Sequence, residues 1–111
     1  MSEDEVLQSL GALAHPVRLQ VFRALVVAGP AGLTPAVMQG ALGIPATTLS
    51  FHLKDLAQSG LATVERASRY LVYRAAYDRM NGVIAYLTAH CCEGAACEVS
   101  GVVPCGPAAR R

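Results

Sequence analysis

Residues 45–60 read PATTLSFHLKDLAQSG, and the apolar spacing within that stretch decides the fold. Leu49, His52, Leu53 and Leu56 fall at i, i+3, i+4 and i+7, the period of one helical face. Thr47, Ser50, Phe51 and Lys54 repeat that spacing two residues earlier, about 200° around the axis. The stretch is therefore predicted as a helix from near Pro45 to Gln58, broken by Gly60. One face belongs to a core, and the other presents hydroxyls, an aromatic ring and a cation. His52, on the leucine face, is expected to be a core histidine with one satisfied nitrogen.

Three shorter helical patterns precede this one. The first runs from Glu3 to Ala14 on Val6, Leu7, Leu10 and Leu13, with Ser2 and Glu5 spaced as a capping box. Pro16 opens the second, which carries Leu19, Phe22, Leu25 and Val26 and ends at Gly29 and Pro30, and His15 before the proline is expected to be extended. Thr34 caps the third, from Pro35 to Leu42, with Gly43 as its stop. After Gly60 the period changes to two. Leu61 to Glu65 and Tyr70 to Arg74 are rich in β-branched and aromatic residues and flank the polar turn Arg66, Ala67, Ser68, Arg69. A last helix is predicted from Ala76 to Cys91 on Met80, Val83, Ile84 and Leu87. Gly94 ends regular structure, and Gly101, Pro104, Gly106 and Pro107 mark a tail.

Composition narrows the function classes. With 111 residues, 53% hydrophobic and 15% charged, the chain is a folded domain too short for a two-domain enzyme. No tryptophan and 5% aromatics leave an aliphatic core, and a core this small favours oligomerisation. The net charge of +1 hides a segregation. Residues 1–14 carry only Glu3, Asp4 and Glu5. Residues 15–79 carry seven cations against Asp55, Glu65 and Asp78, and residues 80–109 carry only Glu93 and Glu98. A basic middle with acidic flanks suits a module that binds a polyanion. The acidic start and the lack of a long apolar run predict a cytoplasmic protein without a membrane segment. No phosphate loop, activated nucleophile or open metal motif argues for catalysis.

A short helix, a tight turn, a second helix with polar residues near its start and a basic hairpin together read as a winged helix-turn-helix: mainly α with a β-hairpin wing. The run Leu13, Ala14, His15, Pro16, Val17, Arg18, Leu19, with Phe22 and Leu25, resembles the opening signature of ArsR/SmtB-type repressors. Ser50, His52, Leu53, Leu56, Gly60 and Leu61, then Arg66, Arg69, Tyr73 and Arg74, extend the resemblance over residues 5–92. Two positions depart from the family pattern. Pro45 stands where a polar cap is usual, and Ser68 stands where the wing turn often has glycine, although a type I turn would accept serine. The resemblance implies a dimeric repressor of operator DNA, with residues 1–92 as the binding and dimerisation domain and 93–111 as a cysteine-containing tail. The first and last helices are expected to form the dimer. Thr47, Thr48, Ser50, Phe51 and Lys54 are expected at the major groove, with Arg66 and Arg69 on phosphates or in the minor groove.

The resemblance leaves the effector to be read site by site. A thiolate pair carried on the third helix by some arsenic and cadmium sensors is absent from Ala36, Val37, Met38, Gln39 and Gly40. A zinc pattern on the last helix is only partly matched by Asp78, Met80, His90 and Glu93, so Asp78 is expected to be a surface charge. Cys91, Cys92 and Cys97 resemble the C-terminal three-cysteine arsenite site of some members. In a reducing compartment four cysteines are ligands or sensors before they are disulfides. Neighbouring helical residues project about 100° apart, so Cys91 and Cys92 converge only where the helix unwinds, which Gly94 permits. Three soft thiols favour As(III) or Sb(III) over hard cations. The alternatives are a zinc or cadmium site completed by Cys105 or His90, and a thiol redox switch, which a helix C-terminus disfavours because its dipole opposes the thiolate.

Overall fold

In the computed structural model, residues 1–89 are described. They form α1 (Glu3–Leu13), α2 (Pro16–Ala28), a 3-10 turn (Gly29–Ala31), α3 (Pro35–Leu42), α4 (Ala46–Gln58), β1 (Ala62–Ala67), β2 (Tyr70–Ala75) and α5 (Tyr77–Thr88). The ends are set by local chemistry. The Glu5 amide donates to Ser2 Oγ at 3.2 Å, and the Ser2 amide donates to Glu5 Oε1 at 2.9 Å, closing the capping box. That backbone N–H of Ser2 is the main reason the Glu5 carboxyl lies below its ordinary range. Gly43, with φ 68° and ψ 30°, ends α3 in the left-handed conformation and turns the chain into α4.

The core is one aliphatic cluster with α4 at its centre. Leu49, Leu53 and Leu56 pack with Val21, Phe22 and Leu25 of α2, Met38 of α3, Ile44 of the turn, and Leu61, Ala62 and Ala75 at the base of the hairpin. The helix touches α1, α2, α3 and β1, so its orientation is held from several sides. α1 packs on α2 and α5, outside the helix-turn-helix.

The strands pair antiparallel, from Ala62 opposite Ala75 to Ala67 opposite Tyr70. A two-residue turn, Ser68 and Arg69, joins them. Arg66 is thus a strand residue opposite Leu71 and not part of the turn, a correction to the four-residue turn expected from sequence. Ser68 has φ 61°, which belongs to the mirror-type turns matched to strand twist and not to a type I turn. Leu33 adds a one-residue third strand: its N–H donates to the Tyr73 carbonyl at 2.9 Å and it accepts from Tyr73 at 2.8 Å. Gly32 precedes it at φ 71°, where a Cβ would lie 2.6 Å from the Tyr73 oxygen, so only glycine lets the strands approach.

Several boundaries shift by a few residues. β1 starts at Ala62, because Leu61 is still closing the turn after α4 through its N–H to the Leu56 carbonyl. α5 ends at Thr88, short of the Cys91 expected from sequence, and the Thr88 hydroxyl donates to the Ile84 carbonyl within its last turn. His90, Cys91, Cys92, Cys97, Cys105 and the rest of the tail lie outside the described residues.

Candidate nucleic-acid interface

α4 separates its two faces as the spacing requires. Leu49, His52, Leu53 and Leu56 are buried, while Thr47, Thr48, Ser50, Phe51 and Lys54 are all exposed. Phe51 is 63% exposed. Pro45 is extended, at φ −60° and ψ 151°, and provides no side-chain cap, so the amides of the first turn meet solvent beside Thr47 and Thr48. An uncapped helix start next to two hydroxyls is well suited to a phosphate oxygen.

The hairpin carries three arginines that differ in availability. Arg74 is engaged: its Nη1 donates to Glu65 Oε1 at 2.7 Å and its Nε donates to the Pro30 carbonyl at 2.7 Å. Glu65 lies opposite Val72, so this pair is diagonal across the strands and braces the base of the wing. Arg66 and Arg69 are exposed near the tip and form no ion pair among the described residues. The sequence placed only Arg66 and Arg69 on the nucleic acid and left Arg74 without a role. Only the register shows that one is structural.

A polar cluster lies under α4. Arg18 of α2 donates from Nε to the Ala12 carbonyl of α1 at 2.6 Å and from Nη1 to Asp55 Oδ2 at 3.1 Å, and the same Nη1 lies 3.4 Å from His52 Nδ1. His15 caps α2 by accepting the Val17 N–H on its Nδ1, and its ring packs against His52 at a 44° tilt with centroids 4.5 Å apart. His52 is 7% exposed. Burial, followed by electrostatic interaction with His15 and Arg18, pushes it below the usual histidine value, with Asp55 opposing. The expectation of a core histidine holds, and so does the extended His15, at φ −153°. Sequence reading did not find the role of Arg18, whose partners are 34 and 37 residues away.

α1 and α5 keep apolar side chains in solvent. Leu7 and Leu10 on α1 and Ile84 and Leu87 on α5 are exposed, and Met80 and Val83 face inward. Asp78 is an exposed charge in the first turn of α5. Among the described residues there is no group of three or more His, Cys, Asp or Glu side chains placed to hold a metal, and no single helix is long and apolar enough to cross a membrane.

Comparison with known proteins agrees with this geometry. A helix-turn-helix domain model matches residues 13–65, which takes in α2 through most of β1. The transcriptional repressor BigR from Xylella fastidiosa is 30% identical, with 79% of this chain and 88% of that one covered at a TM-score of 0.61. A homodimeric winged helix-turn-helix DNA-binding domain from Mycobacterium bovis, described as a possible ArsR-family transcriptional regulator, is 25% identical over 82% of this chain and 94% of its own, with a TM-score of 0.64. The chain belongs to the ArsR-type family of winged-helix transcriptional regulators. An ArsR-like regulator from Rhodococcus sp. RHA1, 23% identical over 76% of each chain with a TM-score of 0.68, shares the fold. No match was found among curated proteins.

Proposed function

We propose that this chain is an operator-binding homodimeric repressor released by trivalent arsenic or antimony. The DNA half rests on α4, which buries its leucine face and leaves Thr47, Thr48, Ser50, Phe51 and Lys54 facing outward, with Arg66 and Arg69 exposed on the wing. In this reading the hydroxyls and Lys54 meet base edges and adjoining phosphates, Phe51 packs on thymine methyls, and the two arginines hold the flanking backbone. Dimerisation is supported by the exposed leucines and isoleucine of α1 and α5 and by the homodimeric state of the Mycobacterium bovis domain. Two reading helices would then enter major grooves about 34–36 Å apart. The repressor described from Xylella fastidiosa supports the sign of regulation.

The effector half rests on the sequence. Cys91, Cys92 and Cys97 cluster just beyond α5, and three thiols replace the three hydroxyls of As(OH)₃ with release of three waters and no net proton. Since no charge is added, release would act through the conformation of a helix in the dimer interface, at about 1–3 kcal/mol of coupling. The test is a titration of arsenite, antimonite and zinc against the protein on a labelled promoter fragment. Single serine substitutions at Cys91, Cys92 or Cys97 should abolish release by arsenite and spare DNA binding, while Cys105→Ser should respond normally. A response to zinc alone, or a requirement for Cys105, would replace the metalloid site with a metal site. Replacing Arg66 and Arg69 with alanine should lower the slope of log affinity against log salt by about 0.9 for each phosphate that these arginines neutralise.

A further inference from the structure

On its inner side α4 also has a polar tie to α1 and α2, made by one side chain. Arg18 spans α1, α2 and α4. Its Nε fills the Ala12 carbonyl, one of the acceptors that the last turn of α1 leaves open, and its Nη1 serves both Asp55 and His52 of α4. The Arg18 side chain is 17% exposed, so its three acceptors hold it in a largely desolvated place. A guanidinium has donors only. His52 Nδ1 must therefore carry a lone pair for this contact to exist, which fixes the proton of the neutral ring on Nε2.

We propose that Arg18 is the positioning residue for the reading helix, and that it seats α4 against α1 and α2 only while His52 is neutral. This rests on the reading of α4 as the DNA-contacting helix. A proton on Nδ1 would turn the acceptor into a donor and set an imidazolium against the guanidinium 3.4 Å away. The groups around His52 sharpen that effect. His15 packs against it at a tilt from the start of α2, Arg18 approaches from the first turn of α2, and Asp55 lies one turn on along α4. α1 contributes the Ala12 carbonyl through Arg18. Of the three titratable or charged neighbours, two oppose the added charge, and the one carboxylate already serves Arg18. Phe51, whose ring meets His52 edge-on at 5.5 Å, lies on the outward face, so a shift of His52 is passed directly to a proposed DNA contact.

The sign makes the proposal testable. Acidification adds positive charge to the protein, which by itself strengthens attraction to phosphates. The strut predicts the opposite. A duplex selected from a random pool by the wild-type protein at neutral pH should bind at least about threefold more weakly at about pH 5.5 than at about pH 7.5, the slope being capped at tenfold per unit for one proton. His52→Asn, which keeps an acceptor near the Nδ1 position and cannot be protonated, should be flat or bind more tightly on acidification. Asp55→Asn, a milder change at a half-exposed residue, removes the one charge favouring the imidazolium and should move the fall to lower pH. Histidine-ring NMR without DNA should show the amides of residues 47–54 shifting as His52 titrates. Tight neutral-pH binding that does not weaken in acid, His52→Asn following the wild-type profile, or amides indifferent to His52 would each overturn the strut. Failure to select any duplex at neutral pH would instead remove the DNA reading, and the NMR titration would still decide the strut.

Discussion

Two helices of this protein carry the same kind of apolar stripe and meet different fates. On α4, Leu49, His52, Leu53 and Leu56 are all buried. On α5, Met80, Val83, Ile84 and Leu87 follow a similar spacing, yet Ile84 is 47% and Leu87 60% exposed. Spacing states which face avoids water; it does not state which chain supplies the cover. The α4 stripe is covered by its own chain, whereas α5 packs on α1, whose Leu7 and Leu10 are themselves exposed.

The largest effect should come from the α4 stripe. Leu53→Ala opens a cavity at the centre of the core and should cost about 2–5 kcal/mol in urea unfolding. Ile84→Glu with Leu87→Glu should leave the folded monomer intact and weaken self-association at least about tenfold, about 1.4 kcal/mol, in sedimentation equilibrium. Loss of monomer folding in that variant would erase the contrast between the stripes.

A smaller effect attaches to the one polar member of the α4 stripe. His52 is held below its unfolded value of about 6.5, so the unfolded chain binds the proton first. Stability should be full above about pH 6.5 and decline as pH falls from there toward the lower folded value, by at most about 1.4 kcal/mol per unit. Thermal melts of wild type and His52→Asn between about pH 5 and about pH 8 measure it, and parallel curves would count against the assignment. The smallest effect lies outside both stripes. Ser68→Gly relieves a left-handed serine at the wing tip and, after glycine's entropy cost, should stabilise by about 0.5 kcal/mol. A destabilised variant would mean that the serine holds the turn in some other way.

Much of the architecture was legible in single residues: the Ser2 and Glu5 capping box, Pro16 and Thr34 at helix starts, Gly43 at a helix end, and the change to a period of two after Gly60. The outward face of α4 was legible for the same reason. Each of these signals acts over a few residues, within reach of backbone geometry and hydrogen bonds.

What tertiary structure alone decided involves residues far apart in the chain. Arg74 had no assigned role in the sequence beside Arg66 and Arg69, and only the strand register and the nearby Pro30 carbonyl commit it to Glu65 while the other two remain exposed. Arg18 and His15 read as parts of a helix start, yet folding brings them against His52 and Asp55 of α4. The sequence by itself determined which faces are apolar, where helices begin and end, and that a basic hairpin follows a two-faced helix. Packing decided which apolar face the chain covers, which cation is spent on its own carboxylate, and which histidine burial pushes toward its neutral form. Hydrophobic period and capping are local properties of the backbone, whereas desolvation and ion pairing depend on what long-range contacts bring within a few ångströms.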